Sequence, residues 1–198
     1  MIRPLRFAVA FCSGALSVAG FAPFSLFPLP LLTLGLLLGL WSESSARQAA
    51  VLGFAFGLGL FLAGVSWIYV SLHDHGGMPA PLAMLAVLLF CSVLASFPAA
   101  AGAVFAWLRS GNTWRDALLA AAAWTTAEWV RGWILSGFPW LTIGNTQTPP
   151  SPLAGFAPVV GVYGLSFLLV ATAAFVVLNR RHRWQPILAA GLVSLVAI

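Results

Sequence analysis

The chain has 198 residues, of which 61% are hydrophobic and 7% charged: nine Arg, four acids and no Lys. A soluble domain runs about 45–50% apolar and about 25% charged, so the composition excludes a disordered chain, a basic nucleic-acid-binding protein and a soluble globule. The formal charge of +5 comes from Arg scattered between long apolar runs, a pattern that suits a membrane rather than phosphate backbones.

A hydrocarbon core about 30 Å thick takes roughly 20 apolar residues at 1.5 Å rise each. Residues 7–42 carry no charge and are too long for one helix. Pro23, Pro28 and Pro30 divide them, because proline removes a donor and disfavours helix before it. The expected spans are therefore about 7–23, 28–42, 49–72, 81–108 (with Pro98 as a kink), 116–136, 159–179 and a short one over 184–198. The fold class expected is all-α: a polytopic membrane helix bundle of six full spans plus a partial or short seventh. The opening MIRPLR and its apolar run imitate a secretory signal. The run then continues through GFAPF into a second span, so a cleaved signal is not expected.

Placing the N-terminus in the cytoplasm puts Arg3, Arg6, Arg47, Arg109, Arg115, Arg180, Arg181 and Arg183 on one side. That asymmetry is the positive-inside pattern. The opposite loops, 73–80 and 137–158, contain no Arg but are rich in specific residues: WIYVSLHDHGGMP over 67–79 and GFPWLTIGNTQTPPSPLAGFAP over 137–158. Chemistry or a partner is therefore expected on the outer face.

The fifth span carries Glu128 and Arg131. Counted from Asp116, they lie about 18 and 22 Å along the helix, in the outer half of a bilayer. Spaced i and i+3, they are able to pair, and intramembrane charge is a functional candidate by default. The competing reading is a buried pair that locks the helix against its neighbours. Trp124, Glu128, Arg131 and Leu135 share one helical face, with Trp129, Trp133 and Trp140 near it. A guanidinium at Arg131 suits a phospholipid phosphate or the anchoring of another domain.

His73-Asp74-His75 has metal-ligand residue types, but three adjacent residues in a Gly-rich turn rarely aim at one ion, so a loop cap is expected and no metal. Ser71, His73 and Asp74 lack the nucleophile elbow of a hydrolase. Gly76 and Gly77 permit a sharp turn there. Gly35-x-x-x-Gly39 and Gly53-x-x-x-Gly57, with Gly64 farther on, offer small-residue faces for close helix contact. Cys12 and Cys91 lie in apolar runs, without a CxxC motif. No internal repeat, Walker motif, dinucleotide fingerprint or HExxH occurs, and no cofactor is expected.

Four stretches together resemble the membrane-embedded N-terminal part of the apolipoprotein N-acyltransferases: GFAPF at 20–24, GFAFGLGLFLAGVSWIYVSLHDHGGMP at 53–79, AWTTAEWVRGWILSGFPWLTIGN at 123–145 and LAGFAPVVGVYGLSFL at 153–168. They occur in order along nearly the whole chain. One departure follows Gly144, where Asn145-Thr146 stands in place of an aromatic–serine pair, so no role is carried to those two side chains.

The resemblance implies a bacterial inner-membrane enzyme of eight helices, with a periplasmic nitrilase-like domain inserted after the seventh. That domain would supply a Glu-Lys-Cys triad whose Cys takes an acyl chain from a membrane phospholipid as a thioester. The acyl group would then pass to the α-amino group of the diacylglyceryl-cysteine of a diacylated lipoprotein, in a covalent ping-pong scheme. With no Lys, and with both Cys inside helices, no catalytic residue is expected in this chain. The expectation is a membrane domain, inactive alone, with the catalytic domain following residue 198. Its outer loops would form a floor for that domain and frame a lateral opening for lipid. The residues expected near lipid or substrate are Trp67, His73, Gly76, Gly77, Glu128, Arg131, Trp133, Phe138, Pro139 and Trp140. Two other readings stay open: a transporter- or channel-like protein, which predicts a polar pathway through the bundle, and a non-enzymatic lipid-binding scaffold.

Overall fold

The computed structural model describes residues 4–179; the seventh segment, expected over 184–198, lies outside them. Among the described residues every regular element is helical. Helix α1 (Pro4–Ser17) continues into a 3-10 turn, Val18–Gly20, and ends before the Pro23 turn. Helix α2 (Pro28–Ser42) begins on two prolines, where a missing N–H costs nothing because the first turn has no acceptor for it. Helix α3 (Ala46–Gly64) starts in a capping box: Gln48 N–H donates to Ser45 Oγ, and Ser45 N–H donates to Gln48 Oε1.

Where the sequence suggested one helix over 49–72, α3 stops at Gly64. The chain re-enters as the short α4 (Trp67–Val70) and a π-turn, Ser71–His75. Helix α5 (Ala80–Leu108) is continuous through Pro98. At 29 residues it is about 43 Å long, longer than a hydrocarbon core about 30 Å thick. Helix α6 (Thr113–Arg131) is capped by Asn112, whose side chain accepts from Arg115 N–H at 3.0 Å. The segment expected over 116–136 thus ends as α-helix at Arg131 and continues as a 3-10 turn, Ile134–Ser136. Helix α7 (Ala157–Leu178) contains one left-handed residue, Gly161 (φ 64°), which offsets its first turn from the remainder.

Among the described residues, three helical segments are long and apolar enough to cross a membrane: Ala46–Gly64, Ala80–Leu108 and Pro152–Leu178. Pro4–Gly20 and Pro28–Ser42 are shorter and also apolar. The helices close into a ring in the order α2, α1, α3, α5, α6, α7 and back to α2. Four aromatic side chains fill its centre. Trp41 lies 6.1 Å from Phe105 and 6.2 Å from Trp124, and Phe56 meets Trp124 edge-on at 5.8 Å. The outside is apolar as well: Leu82, Leu85, Leu89 and Val93 of α5 are all exposed. In water such a surface would be an interaction liability, and in a bilayer it is the ordinary exterior.

Glycines set how closely the helices approach. A Cβ at Gly14 would enter the Phe56 carbonyl, and one at Gly59 would enter the Phe11 carbonyl, so α1 and α3 meet backbone to backbone. Gly53 and Gly57 do the same for α3 against Pro98 and Ala95 of α5. Gly35 and Gly39 differ: added Cβ atoms would make ordinary contacts of 3.4 and 3.5 Å with Val177. Spacing alone made these two GxxxG stretches look equivalent.

Polar ties close the end that carries the α2–α3 and α5–α6 connections. Arg109 donates to the carbonyls of Trp41 and Ser42, capping α2, and Arg6 pairs with Glu43. The buried Asp116 carboxylate accepts from Ser110 N–H at 2.8 Å and Gly111 N–H at 2.7 Å, shaping the α5–α6 turn. Gly59→Leu is expected to lower thermal stability by about 1–3 kcal/mol through overpacking, whereas Gly35→Ala should be near neutral. Thermal unfolding of the two variants in the same detergent checks the contrast.

Candidate functional site

The opposite end of the ring is covered by the 137–158 loop, and two buried charges of α6 hold it there. Glu128 and Arg131 close the last turn of α6 and are only 6% and 3% exposed. The sequence spacing suggested that they pair with each other. Among the described residues no ion pair within 4.0 Å joins them; the pairs at that distance are Arg6–Glu43 and His73–Asp74. Each charge instead makes hydrogen bonds with loop backbone.

Arg131 Nη1 donates to the carbonyls of Phe138 and Trp140, both at 2.6 Å. In return, the Arg131 carbonyl accepts from Phe138 N–H at 2.9 Å. Its guanidinium also lies 5.1 Å from the centre of the Phe61 ring, within cation–π range. Glu128 Oε1 accepts from Ile143 N–H at 2.8 Å, the first residue of the 3-10 turn Ile143–Thr146. The next N–H, that of Gly144, donates to Ser166 Oγ of α7 at 2.9 Å. One short turn is thereby pinned between α6 and α7.

The return from α6 to Phe138 needs a sharp reversal, made by Ser136 (φ 76°) and Gly137 (φ 80°). Glycine is required at 137, because a Cβ would also strike the Gly132 carbonyl. Leu141 holds a third left-handed conformation (φ 57°), which a leucine adopts only under constraint. The constraint is packing: its side chain fills the space above Gly64 at the end of α3. Beyond the turn, Gln147 Nε2 donates to the Phe27 carbonyl at 3.2 Å, and Ser151 Oγ donates to Gln147 Oε1 at 2.7 Å. The loop therefore crosses the whole end of the ring, from α3 to the α1–α2 turn.

The 67–79 segment sits at the same end. Ile68, Tyr69 and Leu72 join Phe138 and Leu141 around a cluster of Phe61, Val65, Val87, Cys91 and Leu94. The two loops thus share one apolar base. His73 is held by its own turn, with Nδ1 2.7 Å from the Met78 carbonyl, the ring 5.3 Å from Tyr69 and Nε2 3.9 Å from Asp74. Gly76 closes the π-turn through its N–H to Ser71, and Gly77 is left-handed (φ 67°). Among the described residues no group of three His, Cys, Asp or Glu side chains is assembled to hold a metal ion.

The predicted residues therefore fall into three groups. Glu128, Arg131, Phe138 and Trp140 are brought together, and the Pro139 carbonyl accepts from Thr142 Oγ1 within the same loop. Trp67, Trp133 and Trp140 are more than half exposed, and Trp133 meets Trp129 edge-on at 5.5 Å. His73, Gly76 and Gly77 shape a neighbouring turn. Sequence reasoning missed Ile143, Leu141 and Ser166. Ile143 and Leu141 act through backbone, which side-chain type does not reveal, and Ser166 is one hydroxyl within an apolar helix. Thr146, to which no role was carried, is fully buried and donates to the Ile143 carbonyl at 2.7 Å.

Residues 13–175 match a family model described as the apolipoprotein N-acyltransferase N-terminal domain. Among curated relatives, the apolipoprotein N-acyltransferase of Nitrosomonas europaea is 53% identical over 171 residues, covering 86% of this chain and 34% of that protein. Those of Azotobacter vinelandii and Pseudomonas syringae pv. tomato are 46% and 45% identical over 193 residues, each covering 96% of this chain and 37% and 38% of the relative. The chain spans about a third of the length of the curated relatives it matches.

Replacing Arg131 by Met leaves the partly buried carbonyls of Phe138 and Trp140 without this donor, at about 1–2 kcal/mol each. Arg131→Met is therefore expected to lower stability by about 2–4 kcal/mol and to speed amide exchange selectively over 137–147. Hydrogen–deuterium exchange with mass spectrometry checks the location of the effect.

Proposed function

The chain belongs to the apolipoprotein N-acyltransferase family, to whose N-terminal domain residues 13–175 correspond, and on that premise we propose that it is the membrane part of a phospholipid-to-apolipoprotein N-acyltransferase. In this reading the acyl donor is a membrane phospholipid and the acceptor is the α-amino group of a diacylated lipoprotein. The chemistry belongs to a periplasmic nitrilase-like domain outside these residues. The helices anchor that domain in the inner membrane, with the N-terminus cytoplasmic and six full spans among the described residues.

One observation carries the proposal. The 137–158 loop is tied over one end of the ring by two buried charges, and it bears the exposed Trp140 at the end that also carries the exposed Trp67 and Trp133. A cover held by backbone bonds is a fixed base for a second domain, and exposed indoles at a helix end suit the headgroup layer. Lipid and lipoprotein would reach the catalytic domain along this edge, past Trp67, His73, Gly76, Gly77, Trp133, Phe138, Pro139 and Trp140. The filled aromatic centre argues against a transport pathway, which needs a polar passage between the helices.

Sidedness is tested with single cysteines in a background lacking Cys12 and Cys91. In intact cells an impermeant maleimide should label His75→Cys, and should label Asn112→Cys only after permeabilisation; the reverse pattern would overturn the orientation. For activity, the full-length enzyme in proteoliposomes is given phosphatidylethanolamine and a diacylated lipopeptide. Arg131→Ala is expected to slow acyl loading about tenfold, equivalent to about 1.4 kcal/mol in the barrier. Normal loading at normal expression would reduce Arg131 to a purely architectural residue.

A further inference from the structure

We propose that the cavity between α2, α5, α6 and α7 holds one phospholipid, with its phosphodiester on Arg109 and an acyl chain along Gly35 and Gly39 of α2. It lies at the end of the ring that carries the α2–α3 and α5–α6 connections, opposite the Arg131 loop. The cavity measures about 730 Å3, within the roughly 300–1,000 Å3 of small-molecule sites. Part of its lining is apolar, from Gly39, Phe105, Val177 and Leu178, and the polar part includes Glu43, Arg109, Thr113 and Asp116. A second space of about 200 Å3 shares Gly39 and Glu43 with it and is lined further by Gly35, Leu36, Leu40 and Val9. A polar chamber joined to an apolar groove suits the head and tail of an amphiphile.

The groove gives Gly35 and Gly39 a use that helix packing does not. Gly14, Gly53 and Gly59 are demanded by backbone pressed against them, whereas a Cβ at Gly35 or Gly39 would make only ordinary contacts with Val177. What the two missing side chains leave on α2 is room beside the cavity.

The polar lining selects the head. Both carboxylates are already engaged: Glu43 pairs with Arg6 through Oε2, and the buried Asp116 accepts from Ser110 N–H, Ser110 Oγ and Gly111 N–H. Arg109 has capacity to spare. Its Nη1 donates to the carbonyls of Trp41 and Ser42, which leaves N–H groups on Nε and Nη2. The two carbonyls fix the guanidinium at the cavity wall, ready to fork onto phosphate oxygens. Basic pockets between helices at this depth are recognised lipid-headgroup sites. Glu43 and Asp116 on the same wall repel a second negative charge, so an amine-bearing zwitterionic head is favoured over an anionic one. Depth agrees, because Trp107 and Trp114, on either side of the α5–α6 connection, are exposed as indoles of the headgroup layer are. The inference rests only on the chain lying in a bilayer and is independent of the enzymatic role proposed above.

The test uses the full-length enzyme, stripped of loosely held lipid in detergent. Phosphatidylethanolamine or phosphatidylglycerol is added back, and bound lipids are counted by native mass spectrometry. Wild type should hold one phosphatidylethanolamine that Arg109→Gln loosens about ten- to hundredfold, the worth of a hydrogen bond to a charged group. Phosphatidylglycerol should bind more weakly at this site. Gly39→Leu, which fills the groove and keeps Arg109, should loosen the same lipid. A cryo-EM map in phosphatidylethanolamine nanodiscs should place a phosphate oxygen about 2.7–2.9 Å from an Arg109 nitrogen. The proposal is overturned by unchanged lipid binding in either folded variant, by tighter binding of phosphatidylglycerol, or by a map in which another part of the chain or a partner helix fills the cavity. Should Arg109→Gln fail to fold, Gly39→Leu and the map decide it.

Discussion

Two charges buried in the last turn of α6 govern the architecture of one whole end of this molecule. A guanidinium and a carboxylate removed from water need substitutes for the hydration they lose. Direct pairing is one solution, but each still retains donor or acceptor capacity that must be met. Here Arg131 takes two carbonyls and Glu128 takes one amide, all from the 137–158 loop. The consequence is reciprocal: the charges are tolerated because the loop is there, and the loop is held over the ring because the charges tie it down.

The rest of the ring supplies the frame within which this bargain works. Backbone approach at Gly14, Gly59, Gly53 and Gly57 draws α1, α3 and α5 together. That brings the α3 terminus, with Phe61 and Gly64, under the loop, where Phe61 meets Arg131 and Gly64 leaves room for Leu141. On the α7 side, Gly144 comes so close to Val162 and Ser166 that a side chain there would collide with backbone. A loop fastened at three helices behaves as part of the scaffold. Such fastening suits a segment with little regular structure to the role of base that we propose for it.

Much of this was legible beforehand. The apolar runs and their proline interruptions placed the helices, and the Arg asymmetry supports the sidedness proposed. The EWVRGW stretch drew attention to Glu128 and Arg131, because charge within an apolar segment needs a reason. The ordered motifs pointed to the family to which the chain belongs. The break after Gly64 was not legible: the residues following it are as apolar as those before, so hydropathy alone carries the helix onward to Leu72. The equivalence of the two GxxxG stretches was likewise illusory, since the same spacing faces bare backbone in α3 and a yielding Val177 in α2.

By itself, then, the sequence determined an all-helical, apolar chain with two exceptional charges, and a family membership. These are properties of composition and order, and each residue carries them wherever it lies. Only the tertiary structure decided what the charges bind. Their partners are backbone carbonyls and an amide seven to fifteen residues away, groups that every residue possesses and that no side-chain pattern marks. The choice between pairing with each other and clasping a loop depends on where the chain returns after α6. That return is set by the left-handed turn at Ser136 and Gly137 and by the packing of Leu141 against Gly64.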